Sequence, residues 1–478
     1  MLTRLEVDGF KNLVRFDVDF GPFTCIAGPN GVGKSNVFDA IRFLSLLADH
    51  TLVEAAMMVR GGDVETSDIQ DLFWAQGTER ASKFRIAVEM IVGRSVLDDF
   101  GRPAEATSTL LRYEVVIGYE KAIHRGMLER LVLLSETLNY ITEGEASTHL
   151  KFPHSSMKFR SMAVRNLRKS QAGFISTRNA QDGKTEIVVH QDGGSRGQGQ
   201  TAPAATAPRT IVATSNTSAT PTILAARREM QQWRFLALEP SAMRKPDRFQ
   251  ADPHISEDGG HVPATLNRLV AESEQRGDLQ EDVYAIIASR VAQLVPITSI
   301  SVNVDEVRKL LTLVVIERSG VQLPAASLSD GTLRFLTLAA IVSDPAATGL
   351  ICIEEPENGI HPAKMAQMVH LLQDLALDAS ESPGRDNPFR QVIVATHSPV
   401  FVQLQNRDDL LFAVEARVKG SGAPIRTLRC RPLDGTWRAK DDKTSVGLAT
   451  ILDYLSAPPN AQLELPILEL PESTGSVR

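Results

Sequence analysis

The pattern of hydrophobic and polar residues separates two blocks, in which strands alternate with helices, from a long middle segment of different texture. In the first block, Phe16, Val18 and Phe20 alternate with charged residues, which is the period of a half-buried strand. An apolar run at Phe23–Ala27 follows, and then a glycine-rich turn and a helical pattern over residues 35–47. This order predicts a strand, a tight turn and a helix in direct succession.

The second block begins near Ser327 and ends near Val414. Its pattern predicts a helix over residues 332–342, a buried strand over 350–353, a helix over 363–377 and a buried strand over 391–395. Strands that alternate with helices form mostly parallel sheets covered by helices. The two blocks therefore predict an α/β fold.

The middle segment mixes both kinds of element. Strand patterns occur at residues 84–92, 112–119, 297–304 and 309–316, and helical patterns at 222–235 and 264–294. Residues 191–208 contain no large apolar side chain, so they cannot bury enough surface to offset the entropy lost on ordering. We therefore expect a disordered loop there.

Residues 28–35 read Gly-Pro-Asn-Gly-Val-Gly-Lys-Ser, a full match to the P-loop pattern, with a strand before and a helix after. Glycines allow backbone N–H groups to surround phosphate oxygens, and the helix start adds its positive dipole end. In this motif Lys34 would reach the β- and γ-phosphates and Ser35 would bind Mg²⁺. The predicted ATP-binding residues are Gly28, Pro29, Asn30, Gly31, Val32, Gly33, Lys34, Ser35 and Asn36.

A second motif, Leu-Ile-Cys-Ile-Glu-Glu-Pro at residues 350–356, is an apolar strand that ends in two acids. A metal-assisted hydrolase needs one acid to hold Mg²⁺ and another to accept a proton from the attacking water. Glu354 suits the first role and Glu355 the second. Two acids at a strand end more often form a solvated edge, and it is the P-loop elsewhere in the chain that favours the catalytic interpretation.

Two weaker signals complete the set. Ser329, Asp330 and Gly331 open a helical run, where a serine is ordinarily just an N-cap. His397 follows the apolar strand at 392–395, where a lone histidine is usually structural. Each signal by itself favours the structural interpretation.

The order of these four motifs resembles the ABC-type ATPase head, and more closely its SMC and RecF-like branch. The start LEVDGFKNL and the following FTCIAGPNGVGKSNVFDAIRFL are similar to SMC and RecF starts. The segments SLSDGTLRFLTLAAI, GLICIEEPENGIHP and QVIVATHSP resemble bacterial stand-alone ATPases related to the ATPase half of OLD nucleases. The resemblance implies a P-loop NTPase fold with a mixed, mostly parallel sheet and a large α+β insert.

The resemblance also implies residue roles. Ser329, Asp330 and Gly331 match the signature motif, which binds the γ-phosphate held by the opposite head, and this implies a homodimer through ATP-bridged heads. His397 matches the switch histidine that senses the γ-phosphate. Lys11 and Asn12 match a basic, phosphate-proximal position. Two departures from the family pattern are Glu354, where an Asp is usual, and Asp330, where the first signature Gly is usual.

These assignments divide the chain into four expected regions. They are an N-terminal half of the head at residues 1–94, an insert at 95–320, a C-terminal half of the head at 321–456 and a tail at 457–478. Catalysis is expected from Glu355, His397 and Lys34, with ATP as substrate and Mg²⁺ bound by Ser35 and Glu354.

Composition adds a few constraints. The net charge of -7 argues against a bulk attraction to nucleic acid but leaves a local basic patch open. Three well-separated cysteines predict buried thiols rather than disulfides or a zinc site. The start lacks a signal-peptide pattern and no window approaches a membrane span, so we expect a cytoplasmic protein without a membrane partner.

One stretch departs from this acidic balance. Residues 146–181 contain no acid, and their basic residues are Lys151, Lys158, Arg160, Arg165, Arg168, Lys169 and Arg178. Such a stretch could bind DNA phosphates without sequence preference. A solvated face or a protein-docking surface is the more ordinary interpretation. All but Arg178 are taken as candidate DNA contacts.

The leading functional hypothesis is an ATP-gated switch that acts on DNA or on a DNA-processing partner in repair or anti-phage defence. The alternative is the ATPase subunit of a defence or toxin complex that binds a protein effector, such as a nuclease, and no DNA itself. A complete OLD nuclease is disfavoured, because only about 80 residues follow His397 and Asp441–Asp442 are adjacent rather than spaced. A transporter ATPase is disfavoured by the SMC-like start and the long insert.

Overall fold

The computed structural model describes residues 1–59, 68–121, 129–168, 170–180, 183–192, 200–276, 280–292, 295–419, 424–439, 445–456 and 469–470. The chain forms two compact units. The first unit comprises Met1–Trp233, Asp378–Pro383 and Arg407–Arg478, and the second comprises Arg234–Leu377 and Gly384–Asn406. The boundary after Trp233 falls inside the region expected to be one insert.

The strands, in chain order, have the following bounds: β1 Leu2–Asp8, β2 Phe16–Asp19, β3 Phe23–Ala27, β4 Ala75–Gln76, β5 Glu79–Arg80, β6 Lys83–Ile91, β7 Ser95–Leu97, β8 Pro103–Glu105, β9 Leu110–Glu120, β10 Arg130–Tyr140, β11 Ile175–Asn179, β12 Thr185–Val189, β13 Gln200–Pro203, β14 Arg234–Leu236, β15 Asp247–Arg248, β16 Ile297–Asp305, β17 Leu310–Glu317, β18 Gln322–Pro324, β19 Gly349–Glu354, β20 Arg390–Thr396, β21 Leu410–Val418, β22 Ile425–Pro432 and β23 Glu469–Leu470.

The α-helices, in chain order, are α1 Lys34–Leu47, α2 Leu52–Met58, α3 Ala146–His149, α4 Ser161–Ala163, α5 Ile211–Thr214, α6 Pro221–Gln231, α7 Pro240–Met243, α8 Val262–Gln275, α9 Gln280–Ala292, α10 Asp330–Ser343, α11 Met365–Leu375, α12 Pro399–Gln403 and α13 Leu448–Ser456. Short 3-10 turns occupy Ile69–Leu72, Ala325–Ser327, Pro362–Lys364 and Arg407–Asp409, and a π-helical turn occupies Ser156–Arg160.

The first unit is built on an antiparallel sheet. Within its described part, eight strands follow the order β13-β12-β11-β10-β9-β6-β1-β2. Strands β1, β2 and β6 come from the expected N-terminal half of the head, whereas β9 to β13 come from the expected insert. Phe10, Phe43 and Phe84 pack edge to face or tilted at centroid distances of 5.3 to 6.0 Å, and this contact fixes α1 against the sheet.

The edge strand β13 corrects one expectation. Residues 191–208 were expected to be disordered, but Gln200–Pro203 pair with β12, and Thr201 lies opposite Val188. Ala204 is buried. Backbone hydrogen bonding to a sheet edge orders a segment of polar composition, because the donors and acceptors come from the main chain rather than from side chains. Residues 193–199 of the same loop lie outside the described residues.

Parallel strands carry the predicted nucleotide motifs in both units. In the first unit, β3 pairs in parallel with β21, which pairs antiparallel with β22. In the second unit, β19 lies between β14 and β20, and all three are parallel. The residues of β3 and β20 are buried throughout, which is typical of strands covered on both faces. The predicted α/β class is confirmed.

Helices α10 and α11 pack against each other in the second unit, and α11 also packs on β20. Ser329 caps the start of α10 by accepting a hydrogen bond from the Thr332 N–H at 3.3 Å. Cys25, Cys352 and Cys430 are free thiols, and the first two are buried. In the described part of the chain, no helix combines the length and the hydropathy that a membrane crossing requires.

Candidate functional site

The P-loop lies between β3 and α1 in the first unit, and its glycines have conformations that other residues rarely adopt. Gly31 has φ 80° and Gly33 has φ 103°. A Cβ atom at Gly33 would collide with the side chain of Asn12, and one at Gly28 would come within 2.8 Å of the Ala413 carbonyl oxygen. A Cβ atom at Gly31 would meet nothing within 4 Å. The loop is therefore packed on one side and open at its tip.

The Lys34 ammonium group is turned onto the loop that precedes it. Its Nζ donates to the carbonyl oxygens of Gly28 at 2.7 Å and Pro29 at 2.8 Å. Only 8% of Lys34 is exposed, whereas Asn30 and Ser35 are exposed beside it. Helix α1 begins at Lys34 without a side-chain cap. An uncapped helix start next to a buried ammonium group suits a phosphate ligand.

Lys11 and Asn12, which follow β1, both contact this region. The Lys11 Nζ forms an ion pair with Asp39 Oδ2 at 2.6 Å. The Asn12 side chain donates to the Val32 carbonyl oxygen at 2.9 Å and accepts from Asn36 Nδ2 at 2.8 Å. Asn12 therefore stabilises the P-loop through its hydrogen bonds to Val32 and Asn36. The positive charge of Lys11 is paired with Asp39 on α1.

In the second unit, the strand β19 ends in the segment that we call the carboxylate turn, residues 354–358. Glu354 is exposed at the strand end. Glu355 has φ 47°, an uncommon value for a residue with a side chain, and its N–H donates to the Ala395 carbonyl oxygen at 2.8 Å. Left-handed backbone at such a residue persists only when its surroundings enforce it, and it concentrates at functional sites.

The Glu355 carboxylate is held by two side chains. Its Oε1 forms a hydrogen bond with His397 Nδ1 at 2.7 Å, and its Oε2 accepts from Asn358 Nδ2 at 2.8 Å. His397 directly follows β20, the parallel neighbour of β19, so the two strand ends bring these groups together. The structure thus places two of the predicted catalytic residues in contact, although 42 positions separate them.

Glu357 is a residue that the sequence analysis did not select. It is 8% exposed and accepts a hydrogen bond from the Thr396 hydroxyl, whose oxygen in turn accepts from the Ser398 N–H at 3.0 Å. Burial raises the pKa of the Glu357 carboxyl above its usual value. Glu357 therefore ties the carboxylate turn to the residues that flank His397. The sequence feature that could have identified Glu357 is its position two residues after Glu355, as the third acid within residues 354–357.

The predicted signature residues begin α10 in the second unit. Asp330 forms an ion pair with Arg244, which also donates to the Leu328 carbonyl oxygen at 3.0 Å. A Cβ atom at Gly331 would lie 3.4 Å from the Gly359 carbonyl oxygen, so a glycine here permits close approach of the turn that follows Glu357. The acid at the unusual signature position is thus paired with a cation at the helix start.

Neither Ser35 nor Glu354 belongs to a group of described side chains that could coordinate a metal ion without further ligands. In the ranges that the structure describes, no group of three His, Cys, Asp or Glu side chains is arranged to hold a metal ion. Mg²⁺ commonly takes one or two protein ligands and completes its shell with phosphate oxygens and water. Ser35 in the first unit and Glu354 in the second unit are each exposed and each carry an oxygen donor of the kind that Mg²⁺ binds.

The basic stretch is largely neutralised, and one of its residues must be removed from the candidate DNA contacts. Lys151 pairs with Asp19 at 2.8 Å and Lys158 with Glu381 at 2.7 Å. Arg165 lies 3.6 Å from Glu105. Arg168 is 8% exposed and donates to the carbonyl oxygens of Ala172, Gln191 and Gly173. Its guanidinium group stabilises the fold, and it is not available to a phosphate backbone.

The remaining basic residues of the stretch differ in their exposure and in their ion pairs. Arg160 is partly exposed at the end of the π-helical turn. Arg178 pairs with Glu186 at 3.1 Å. Lys169 lies outside the described residues. Met157 and Met162 of the same segment are 86% and 67% exposed, so the surface around Lys158 and Arg160 is apolar as well as basic.

Two family models match the chain. Residues 234–403 match the model described as "AAA domain, putative AbiEii toxin, Type IV TA system". Residues 1–52 match the RecF/RecN/SMC N terminal domain. The first match covers the carboxylate turn, the signature residues and His397, and the second covers the P-loop.

Curated relatives match short regions. The DNA replication and repair protein RecF of Porphyromonas gingivalis is 36% identical over 74 residues, 15% of this chain and 20% of the relative. The chromosome partition protein Smc of Bacillus subtilis is 46% identical over 66 residues, 13% of this chain and 5% of the relative. The chain thus spans about a fifth or less of the length of these two relatives.

Solved structures give a likeness at low identity. A crystal structure of an Smc head bound to the C-winged helix domain of ScpA is 15% identical, covers 91% of this chain and 98% of its own, and has a TM-score of 0.45. The SMC head domain from Thermotoga maritima is 11% identical, covers 91% and 99%, and has a TM-score of 0.35.

Proposed function

Since this chain is an SMC/RecF-like ABC-type ATPase, we propose that it binds and hydrolyses ATP and acts as an ATP-gated switch on DNA or on a DNA-processing partner. The observation that carries this proposal is the Glu355 carboxylate, which is held between His397 and Asn358 at 2.7 and 2.8 Å at the end of a buried strand. A proton acceptor that orients a water molecule must be fixed in this way.

The P-loop supplies binding. Its glycines leave the tip open, and the Lys34 ammonium group, now on the Gly28 and Pro29 carbonyl oxygens, would exchange these acceptors for phosphate oxygens. Ser35 and Glu354 are the proposed Mg²⁺ ligands, and the ion would neutralise charge on the phosphates. The hydrogen bond from the Asn12 side chain to the Val32 carbonyl oxygen stabilises the conformation of the loop.

Glu355 is the proposed general base. One of its oxygens is engaged by His397 and the other by Asn358, so the carboxylate cannot rotate freely. His397 is then suited to report the state of the nucleotide to β20, because it contacts the base directly. Ser329 and the start of α10 are proposed to act on the nucleotide of a second copy, which makes a homodimer the working form.

The direct test is Glu355→Gln. The variant should bind ATP with wild-type affinity and hydrolyse it at least ~100-fold more slowly, because an amide cannot accept the proton. Phosphate release measures turnover, and titration with labelled ATP measures affinity. Glu306→Gln, an exposed acid of the same unit that pairs with Lys309, is the matched control and should behave as wild type. Normal turnover in the Glu355 variant would refute the assignment.

A second candidate function is favoured by the ion pairs of the basic stretch and by the exposed methionines within it. Lys151 and Lys158 are paired with acids and Arg168 is buried, while Met157 and Met162 are exposed. Such a surface suits a protein effector better than DNA, since a polyanion gains most from unpaired cations. The chain would then be the ATPase subunit of a defence or toxin complex.

The two candidates differ in a charge-reversal experiment. If DNA is the partner, changing Lys158, Arg160 and Arg165 to Glu should abolish DNA binding and spare ATP affinity, and binding by the unaltered protein should fall steeply with salt. Arg308→Glu together with Lys309→Glu is the control at an exposed site of the second unit. If the unaltered protein binds no DNA with or without ATP, the result favours the second candidate, an ATPase subunit that binds a protein effector.

A further inference from the structure

The start of α10 carries an acid at the place where a phosphate is proposed to bind. Asp330 is the first residue of this helix, and its side chain is 54% exposed. The first N–H groups of a helix have no partner within the helix, and its positive dipole end attracts anions. A carboxylate there satisfies this attraction itself, and its negative charge repels a phosphate that approaches the same helix start.

Arg244 neutralises this acid and also holds the backbone beside it. Its Nη2 donates to Asp330 Oδ1 and to the Leu328 carbonyl oxygen, the latter at 3.0 Å. Leu328 directly precedes Ser329, the residue that caps α10. One guanidinium group therefore contacts both the acid at the helix start and the backbone that leads into the helix.

The position of Arg244 is set by the packing of α7, which it directly follows. Helix α7 packs on α10, and the Thr337 hydroxyl of α10 donates to the sulfur of the buried Met243 at 3.1 Å. A Cβ atom at Gly259 would come within 2.9 Å of Met243 Cγ, so the loop that contains Gly259 also packs closely on α7. A packed element thus presents Arg244 to Asp330.

A second cation, Arg334, does not replace Arg244. Arg334 lies four residues after Asp330 and hence on the same side of α10. Burial lowers the pKa of Arg334, and the negative charges of Asp330 and Glu239 oppose this effect. Between these described side chains, however, Asp330 forms its ion pair with Arg244 and not with Arg334. Arg244 is therefore the cation that neutralises the acid at close range.

We propose that Arg244 is a positioning residue of the signature motif, which neutralises Asp330 and so allows the start of α10 to accept the phosphate of a nucleotide bound to a second copy. This inference rests on the proposed function, in which the signature acts on a second copy, and it adds the group that makes an acid compatible with that role. Because an exposed ion pair contributes little to folding stability, its loss should affect the reaction more than the fold.

The test is a double-mutant cycle in the full chain, with steady-state ATP hydrolysis as the measurement. Arg244→Gln should lower kcat/KM at least ~10-fold, because the unpaired Asp330 then repels the incoming phosphate. Adding Asp330→Asn should restore kcat/KM to within about threefold of the wild-type value, because the repelling charge is gone. Asp330→Asn alone completes the cycle, and thermal unfolding of each variant checks the fold.

The rescue separates neutralisation from a purely structural role. The hydrogen bond from Arg244 to Leu328 is missing in the single and in the double variant, so a role limited to that bond would leave both equally slow. Arg244→Lys keeps the positive charge and should retain most of the rate. Arg308→Gln, which removes the exposed partner of Asp305 in the same unit, is the matched control and should behave as wild type.

A wild-type rate in Arg244→Gln, or a double variant as slow as the single one, would overturn this inference. The proposed function has its own test in Ser329→Arg, which should abolish hydrolysis. If the unaltered protein hydrolyses no ATP, or if Ser329→Arg leaves hydrolysis intact, the proposed action of the signature fails and this inference fails with it. If both of those results are as expected and Arg244→Gln is fast, only the role of Arg244 is wrong.

Discussion

The P-loop and the carboxylate turn stabilise their charged groups in different ways. At the P-loop, the Lys34 ammonium group is held by main-chain carbonyl oxygens five and six positions away. At the carboxylate turn, Glu355 is held by the side chains of His397 and Asn358, and Glu357 by that of Thr396. The first arrangement depends on local backbone shape, and the second depends on two strands that are distant in sequence.

This difference has a chemical consequence. Main-chain acceptors remain in place whatever the neighbouring side chains are, so Lys34 can exchange them for a ligand without disturbing the loop. The carboxylate turn instead consists of side chains that constrain one another, and removing one partner leaves another buried or misdirected. The comparison therefore predicts binding defects at the P-loop and turnover defects at the carboxylate turn.

The largest effect on ATP binding is expected at Lys34. Lys34→Ala should weaken ATP binding roughly 100-fold, near the upper end for loss of a charged hydrogen bond, and turnover should fall with it. Equilibrium titration with labelled ATP measures the change. Lys158→Ala, an exposed lysine of the same unit that pairs with Glu381, is the matched control. Wild-type ATP affinity in the Lys34 variant would contradict the prediction that the P-loop is responsible for ATP binding.

A smaller effect is expected at Glu357. Glu357→Ala should lower the turnover rate roughly 10-fold with unchanged ATP affinity, because Thr396 and the neighbouring His397 lose their support; such a loss corresponds to about 1.4 kcal/mol in the barrier. Steady-state kinetics separate kcat from KM.

Glu357→Gln is the informative control, since its amide oxygen can still accept from the Thr396 hydroxyl. It should retain most of the activity. An equal loss in both variants would mean that the carboxyl group itself takes part in the reaction.

A third effect, on stability rather than on activity, concerns Glu136, a fully buried acid of the first unit that is held mostly by the main chain. It accepts from the N–H groups of Ile211 and Val212 at 2.7 and 3.1 Å and from the Tyr113 hydroxyl. Burial raises the pKa of Glu136 to about 7. The backbone donors of Ile211 and Val212 oppose this rise in pKa but do not cancel it.

The direction of the pH effect follows from the raised value. Between the ordinary glutamate pKa near 4.5 and about 7, the unfolded chain releases this proton and the folded chain retains it. The free energy of unfolding should therefore fall as the pH rises through this window, by up to about 3 kcal/mol from this group. Urea unfolding at pH 5 and pH 8 measures it. Glu136→Gln should flatten the dependence, and an unchanged slope would contradict the assignment.

The sequence by itself determined the local features. The P-loop over residues 28–35 could be recognised because its chemistry depends on the order of a few neighbouring residues, and the strands and helices around it follow from apolar periodicity. The α/β class and the SMC/RecF-like resemblance rest on the same local patterns. The strands predicted at residues 84–92 and 112–119 are present as β6 and β9.

Tertiary structure decided which charges remain available. The basic stretch is contiguous in sequence, yet Lys151 and Lys158 meet acids that lie 132 and 223 positions away, and Arg168 enters the interior. The pairing of Glu355 with His397, the burial of Glu357 and the ordering of β13 depend in the same way on which strands become neighbours. Composition gives the number of charges, but only the packed chain determines which of them are neutralised, because an ion pair depends on distance in space and not on distance in sequence.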